Sequence, residues 1–171
     1  MTALAWGARV SAAFRSSVGH IGAELQCEPS WLMAVMYQES ALDPTAHNPS
    51  GAAGLIQFMP QTAAALATTT AKILAMSAES QLRLVQEYFQ PWAGRLRDLG
   101  DVYGAVLWPA MIGQPDGYVV FDKADPHHPA RYLENKGLDL NADGKITRGE
   151  VCARVQHKLE LGLQPGNVWN G

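Results

Sequence analysis

Apolar residues recur at helical spacing along most of the chain, in segments that proline separates. Between Val10 and Leu25 they fall three or four positions apart, which predicts an amphipathic helix. Pro29 is suited to the first turn of a second helix, and Pro60 is expected to open another helix over Gln61–Ala67. Because proline at these places starts helices rather than interrupting them, the pattern predicts a mainly α-helical protein.

Capping and stop signals extend the helical pattern toward the middle of the chain. Ser77 is a good N-cap for a helix that Pro91 stops. Asp101 is expected to cap a further apolar helix, which Pro109 should kink or end. Proline and glycine are then concentrated between residues 113 and 129, which predicts a linker or long loop with at most a short strand.

Composition and cysteine count exclude several kinds of partner. Charged residues make up 17% of the 171 residues, the formal net charge is -3, and no run of Lys or Arg occurs, so nucleic acid is not expected to bind. No stretch approaches the length of a transmembrane helix, and residues 1–10 lack the features of a secretory signal. Cys27 and Cys152 are too few for a disulfide framework, and two buried thiols are favoured over a disulfide between them.

A twelve-residue segment near the C-terminus, Asp139–Glu150, matches the calcium loop of an EF-hand. The residues at its ligand positions are Asp139, Asn141, Asp143, Lys145, Thr147 and Glu150. Lys145 would contribute its backbone carbonyl, Thr147 would act directly or through water, and Glu150 would bind through both carboxylate oxygens. Gly144 stands where the motif needs a sharp turn.

The length of this match favours calcium binding over a degenerate loop held by its own hydrogen bonds. Three carboxylates with Lys145 and Arg148 nearby predict modest affinity. EF-hands often work in pairs, and the sequence contains no second loop, so one structural site is favoured over a regulatory switch. The flanking residues suit a short entering helix at Tyr132-Leu133 and an exiting helix with an apolar stripe at Val151, Val155 and Leu159.

Glu39 falls at the end of the second predicted helix, on one stripe with Trp31 and Val35. Apolar neighbours raise the pKa of a carboxyl group by desolvation and keep it protonated near neutral pH. Cleavage of a glycosidic bond needs such an acid to protonate the leaving oxygen. From spacing alone, however, a solvated or capping carboxylate is the favoured alternative.

The residues around Glu39 resemble a known family. Glu39–Ala46 and Gly51–Ala63, which read ESALDPTA and GAAGLIQFMPQTA, resemble the signature of the soluble lytic transglycosylases, which share the goose-type lysozyme fold. The resemblance is specific over residues 29–67. It implies that Glu39 is the sole catalytic carboxylate, protonating the glycosidic oxygen between N-acetylmuramic acid and N-acetylglucosamine. The same residue would then act as base while the muramic 6-hydroxyl attacks, giving a 1,6-anhydro product.

The resemblance also implies a set of substrate contacts. Gln57 and Met59 match residues of the family that contact the sugar, and Asn48 stands where the family often has a substrate-contacting serine. Gly51 and Gly54 would permit the tight turn between them. Two alternatives stay open, namely that Met59 lies in the core and that Gln57 only ties the loop together.

One later motif of the family, Tyr-Asn-Ala-Gly, is absent, although its tyrosine supports the catalytic glutamate. The matching region, Asp101–Ala110, resembles a variant of phage-encoded members. Tyr103 or Trp108 could line the cleft, since aromatic faces stack on sugars, and either could equally belong to the core.

These observations predict a lysozyme-like helical domain in residues 1–126 and an EF-hand-like calcium-binding segment in residues 127–171 packed on it. The predicted activity is a peptidoglycan lytic transglycosylase with no cofactor for catalysis. It is favoured over a hydrolytic muramidase, in which Asp43 would position a water, and over a non-catalytic wall-binding or virion protein. The implied partner is bacterial peptidoglycan, reached in the periplasm or through a virion, with other virion or lysis proteins as candidate partners.

Overall fold

Helices account for most of the regular structure in the computed structural model, which describes residues 3–171. The α-helices in this range are α1 (Ala12–Leu25), α2 (Pro29–Ser40), α3 (Pro60–Ala65), α4 (Thr70–Leu74), α5 (Ala78–Phe89), α6 (Leu99–Leu107), α7 (Pro129–Asn135) and α8 (Arg148–Gly162). Short 3-10 turns occupy Gly7–Arg9, Gln90–Trp92, Pro109–Met111 and Lys136–Leu138. The prediction of a mainly helical fold is confirmed. Within residues 3–171, every helix is too short or too polar to cross a membrane.

Short strands form two antiparallel pairs. β1 (Ala3–Leu4) pairs with β4 (Trp169–Asn170), and β2 (Val119–Asp122) pairs with β3 (Lys145–Thr147). β2 is the short strand expected in the segment rich in proline and glycine. It lies before residue 126 and β3 lies after it, so this pairing joins the two predicted domains, whose boundary stays a prediction.

Helix α2 lies at the centre of the fold. Its residues Leu32–Met36 are all buried, because α1, α6, α8 and β1 pack around it. A helix that is covered on every side needs no polar face, which explains the continuous apolar run. Ala41 then adopts a left-handed conformation with φ 53° and ends the helix. The last turn of α2, which contains Glu39, is therefore the point where the central helix emerges from the core.

The capping predictions are confirmed for α5 and wrong for α6. The Ser77 hydroxyl accepts a hydrogen bond from the Ser80 backbone N–H at 3.1 Å, as an N-cap should. At α6 the cap is Asp98, whose carboxylate accepts from the backbone N–H of Asp101 at 2.8 Å. Asp101 instead lies buried in the first turn, because its carboxylate pairs with the buried guanidinium of Arg148.

Arg148 attaches the start of α8 to α6. Its guanidinium lies 2.6 Å from Asp98, 3.0 Å from Asp101 and 3.0 Å from Asp116, and its Nε donates to the Met111 carbonyl. A buried charge is tolerated only when it is paired and hydrogen-bonded, as it is here. This cluster therefore fixes the beginning of α8 against the helix that carries Tyr103.

Both cysteines are free thiols. Cys27 and Cys152 are partly buried, and desolvation raises the pKa of each thiol to about 11. The thiols are therefore protonated at neutral pH, and the preference for two thiols over a disulfide is confirmed.

Candidate active site

Glu39 is a partly buried carboxyl group at the end of the central helix. Burial raises its pKa from 4.5 to about 7, and the positive charge of Arg154 on α8 acts in the opposite direction. A carboxyl group with this pKa can both give and take a proton near neutral pH, which is the property that acid and base catalysis by one residue requires.

Ser40, the next residue, fastens the end of α2 to the loop that follows. Its hydroxyl lies 3.0 Å from the Met36 carbonyl and 2.9 Å from the Leu55 carbonyl. The residue is buried, so these contacts are shielded from water. Ser40 therefore holds the loop at a fixed position relative to the Glu39 carboxyl group.

The loop between α2 and α3 reverses direction twice. Ala53 pairs with both His47 and Phe58 in isolated antiparallel bridges. Gly54 has φ +77°, and a Cβ there would collide with the side chains of Gln81 and Ile73. Glycine is thus required at position 54 by conformation and by space.

Gln81 on α5 holds this loop from behind and was not identified from the sequence. Its Oε1 accepts from the Leu55 N–H at 2.9 Å, and its Nε2 donates to the carbonyls of Pro44 at 2.7 Å and Ile73 at 2.9 Å. Gln81 is completely buried, and its hydrogen bonds to Leu55 and Ile73 lie inside the protein, whereas the one to Pro44 is partly buried. A signal for it exists in the sequence, because a glutamine four residues before Val85 interrupts the apolar stripe of α5.

The predicted sugar contacts have different surroundings. Gln57 donates from Nε2 to the carbonyls of Ala46 at 3.1 Å and Gly54 at 3.0 Å, so its amide group ties the loop together. Asn48 is exposed, and its Oδ1 accepts from the Ala52 N–H. Met59 is 45% exposed, so it lies on the surface and the alternative that it belongs to the core is wrong. Their contact with a sugar stays a prediction.

Two tyrosines lie close enough to Glu39 for its charge to act on them. Tyr103 on α6 is buried, and burial together with the negative charge of Glu39 raises its pKa. Burial and Glu39 likewise raise the pKa of Tyr88 on α5 to about 12, and its hydroxyl donates to the Ala105 carbonyl at 2.6 Å. Tyr88 was not identified from the sequence, since on α5 it stands beside the core residue Phe89 and carries no motif.

Trp108, the other aromatic candidate for the cleft, packs against residues of β2 and α7. Its ring lies 5.4 Å from that of Phe121 on β2, and the Arg131 guanidinium lies 4.8 Å above it. Trp108 therefore joins the end of α6 to the β2 and α7 region.

Asp43, the residue that would position a water in a hydrolytic muramidase, forms a turn. Its Oδ1 accepts from both the backbone N–H and the hydroxyl of Thr45, at 2.8 and 2.7 Å. These hydrogen bonds lower the pKa of the Asp43 carboxyl group, which is exposed. Its geometry is that of an Asx turn.

A cavity of about 430 Å³ lies at the other end of α2, where Cys27, Pro29 and Trp169 are among its lining residues. A second cavity, of about 380 Å³, lies beside Tyr88 between α3 and α5 and is also lined by Leu66 and Trp92. Tyr88 is the residue that this cavity shares with the group around Glu39, and its aromatic lining, Tyr88 and Trp92, is of the kind that stacks on sugars.

The segment Asp139–Glu150 folds as a loop organised around its first residue. The Asp139 carboxylate accepts from the backbone N–H groups of Asp143 at 3.2 Å and Gly144 at 2.9 Å, and from the Tyr132 hydroxyl at 2.6 Å. Gly144 has φ +85°, which confirms the expected sharp turn.

Glu150, at the last position of the loop, caps α8. Its Oε1 accepts from the Leu140 N–H at 3.0 Å, and its Oε2 accepts from the N–H and the hydroxyl of Thr147 at 2.9 Å. Thr147 and Glu150 together form a capping box. Among residues 3–171, no three His, Cys, Asp or Glu side chains are grouped so as to hold a metal ion. Calcium binding stays a prediction.

Comparison with known proteins identifies the domain that contains Glu39. Residues 18–92, less than half of the chain, match the family model described as "Transglycosylase SLT domain". The matched segment includes Glu39, the loop after it, Gln81 and Tyr88, whereas Tyr103 and α8 lie beyond it. No curated protein and no solved structure matched the chain. Members of the matched family are lytic transglycosylases that cleave peptidoglycan, and residues 18–92 of this chain are similar to the enzyme domain of that family.

Proposed function

We propose that this protein cleaves the β-1,4 bond between N-acetylmuramic acid and N-acetylglucosamine with Glu39 as its single acid and base. The observation that supports this is the position of Glu39, where burial at the end of α2 raises the carboxyl pKa to about 7. Near neutral pH the protonated and the ionised forms of Glu39 are then both populated, and a two-step mechanism uses one after the other.

In the first step the Glu39 carboxyl proton passes to the glycosidic oxygen, and the bond from that oxygen to the anomeric carbon of the muramic sugar breaks. In the second step the Glu39 carboxylate takes the proton of the muramic 6-hydroxyl, whose oxygen attacks the anomeric carbon. The product is a 1,6-anhydro sugar, and Glu39 is protonated again. This sequence needs no second carboxylate, which agrees with the role of Asp43 in a turn.

The experiment that tests this function is digestion of purified peptidoglycan by the wild type and by Glu39→Gln. We expect the wild type to release 1,6-anhydromuramyl products and Glu39→Gln to lose at least 100-fold in rate, since general acid catalysis contributes roughly 10² to 10⁴. Glu160→Gln is the matched control, because Glu160 is exposed near the end of α8. Full activity of Glu39→Gln would contradict the assignment.

Mass spectrometry of the same digest separates the alternatives. A hydrolytic muramidase would give products heavier by one water, and a non-catalytic wall-binding or virion protein would give none. The absence of the Tyr-Asn-Ala-Gly motif favours the non-catalytic alternative, whereas the closeness of Tyr103 and Tyr88 to Glu39 favours an enzyme.

We also propose that the loop Asp139–Glu150 holds one Ca²⁺ that stabilises the fold. Its ligands would be the side chains of Asp139, Asn141, Asp143, Thr147 and Glu150 and the carbonyl of Lys145. This donor set consists of oxygen atoms, which suit a hard cation, and the loop already has the left-handed Gly144 that the motif requires. When bound, the ion would balance the negative charges of the carboxylates in the loop and so stabilise its folded shape.

The protein is further proposed to be a phage-type enzyme that reaches the bacterial wall with a virion or as a lysis protein. This proposal depends on the resemblance of the Asp101–Ala110 segment to phage-encoded members. Zymography of purified virions beside lysates of infected cells would distinguish the two routes.

A further inference from the structure

Helix α8 lies outside the segment that matches the family. It nevertheless contributes a positively charged side chain near Glu39. α8 packs against both α2 and α6, the helices of Glu39 and Tyr103. Val151 and Val155 on α8 are completely buried in this contact region of the core. Arg154, between them in sequence, lies on the exposed side of the helix.

Helices α2 and α8 run in opposite directions, because the start of α2 and the end of α8 both bind the segment Ala3–Trp6. The Lys158 ammonium lies 5.9 Å from the centre of the Tyr37 ring, which belongs to the last two turns of α2. Arg154 is one helical turn before Lys158 and therefore lies on the same edge of α8. Arg154 therefore lies beyond Tyr37 toward the C-terminal end of α2, where Glu39 is, and its positive charge acts to lower the pKa of both Glu39 and Tyr103.

Among the described residues, the Arg154 side chain also has no ion-pair or hydrogen-bond partner. Within residues 3–171 its guanidinium makes no salt bridge and no side-chain hydrogen bond, whereas Arg148 on the same helix is paired with three aspartates. An exposed guanidinium beside an active site is suited to bind a carboxylate of the substrate through two parallel hydrogen bonds.

The chemistry of the substrate limits what this anion can be. The sugar rings and acetamido groups of peptidoglycan are neutral, and its carboxylates belong to the stem peptide on the muramic residue or, where that peptide is absent, to the lactyl ether itself. Both sources lie on the muramic side of the bond that Glu39 would cleave.

We propose that Arg154 binds a carboxylate carried by the muramic residue of the substrate and so selects muramic-containing strands over neutral glycans. This inference depends on the proposed function of Glu39, because it places the muramic residue at that site. Arg154 is a binding residue in this proposal, and Glu39 remains the group that transfers protons.

The test measures binding in a Glu39→Gln background, where turnover is prevented. The ligands are fluorescently labelled glycan strands with stem peptides, the same strands after amidase treatment, and a neutral N-acetylglucosamine tetramer. Arg154→Gln should weaken binding of the muramic strands that present the recognised carboxylate about tenfold and leave binding of the tetramer unchanged. Arg154→Lys should restore part of the loss, since it keeps the charge without the planar fork.

Amidase treatment identifies the source of the carboxylate, because it removes the stem peptide and frees the lactyl carboxylate. Before treatment the lactyl carboxyl is bound in the amide to the stem peptide and carries no charge. An effect of Arg154→Gln on treated strands alone therefore assigns the lactyl group, one on untreated strands alone assigns the stem peptide, and one on both shows that Arg154 accepts either carboxylate. Arg83→Gln is the control, since Arg83 is a highly exposed arginine paired only with Glu87 on its own helix.

Equal weakening of all three ligands by Arg154→Gln, or no weakening of any, would overturn the inference. Circular dichroism of each variant shows that the fold is retained. Failure of the proposed function would be a separate result. It would appear as continued cleavage of peptidoglycan by the single variant Glu39→Gln.

Discussion

At the scale of single residues, the pKa of Glu39 depends on where α2 ends. One turn earlier the carboxyl group would be inside the core with Val35, and beyond Ala41 it would be in water. At position 39 burial raises the pKa without removing the group from the surface, and Arg154 limits the rise.

The first prediction concerns the pH dependence of activity. The acid must be protonated at the start of the reaction, so kcat/KM should fall as pH rises above about 7, approaching tenfold per pH unit. Measurement of initial rates on soluble strands between pH 5 and 9 checks this. A fall centred near the ordinary carboxyl value of 4.5 would show that Glu39 is not desolvated in the working enzyme.

The second prediction concerns stability. The pKa of Glu39 is higher in the folded state than its ordinary value of 4.5, so its contribution to stability is present below pH 4.5 and is lost as pH rises through about 7. Glu39→Gln removes this loss and should be more stable than the wild type at pH 8, by at most about 3 kcal/mol. Urea unfolding at pH 4 and pH 8 measures it, and an equal difference at both values would contradict the explanation.

At the scale of structural elements, the loop after α2 depends on groups that come from other elements. Ser40 holds it from α2, and Gln81 holds it from α5. Inside the loop, Gln57 donates to two of its carbonyls. The Gly51–Ala63 signature thus describes a loop whose shape is fixed largely by buried hydrogen bonds.

The third prediction follows from the buried position of Gln81. Gln81→Ala should lower the free energy of unfolding by about 3 kcal/mol or more, because the Leu55 N–H and the carbonyls of Pro44 and Ile73 would lose their partner. Gln156→Ala is the control, since Gln156 is exposed on α8. Denaturant unfolding of both variants measures the difference, and similar values for the two would show that water replaces the amide group.

Local sequence signals predicted the elements better than they predicted the site. Pro29 and Ser77 mark the starts of α2 and α5, since each acts through its own turn. The cap of α6 was predicted at the wrong aspartate because the partner of Asp101 is Arg148, 47 positions away. The site around Glu39 was identified from its own segment, whereas Tyr88 and Arg154 reach it only through packing of α5 and α8.

At the scale of the whole molecule, α8 connects the proposed calcium loop to α2, the helix that contains Glu39. It begins at the capping box of Thr147 and Glu150, is fixed to α6 by Arg148, and packs along α2. The contacts that fix the start of α8 therefore also stabilise the packing of α8 against α2.

The fourth prediction is that Ca²⁺ raises the melting temperature. An ion that binds only the folded state should add about 3 kcal/mol at a hundred times its dissociation constant. Glu150→Gln is a suitable variant, because glutamine can keep the capping box while it loses the charge. Thermal unfolding with Ca²⁺, with Mg²⁺ and with a chelator checks this, and identical curves in all three would contradict a calcium site.

The packing of α8 against α2 also limits how the chain can be divided. The family match ends at Trp92, yet α2 is covered in part by α6 and α8, which follow it in the chain. A fragment restricted to residues 18–92 would expose apolar side chains of α2 to solvent and would be prone to aggregate. The segment that carries the family signature is therefore smaller than the unit that folds, and an engineered minimal enzyme has to retain the chain through α8.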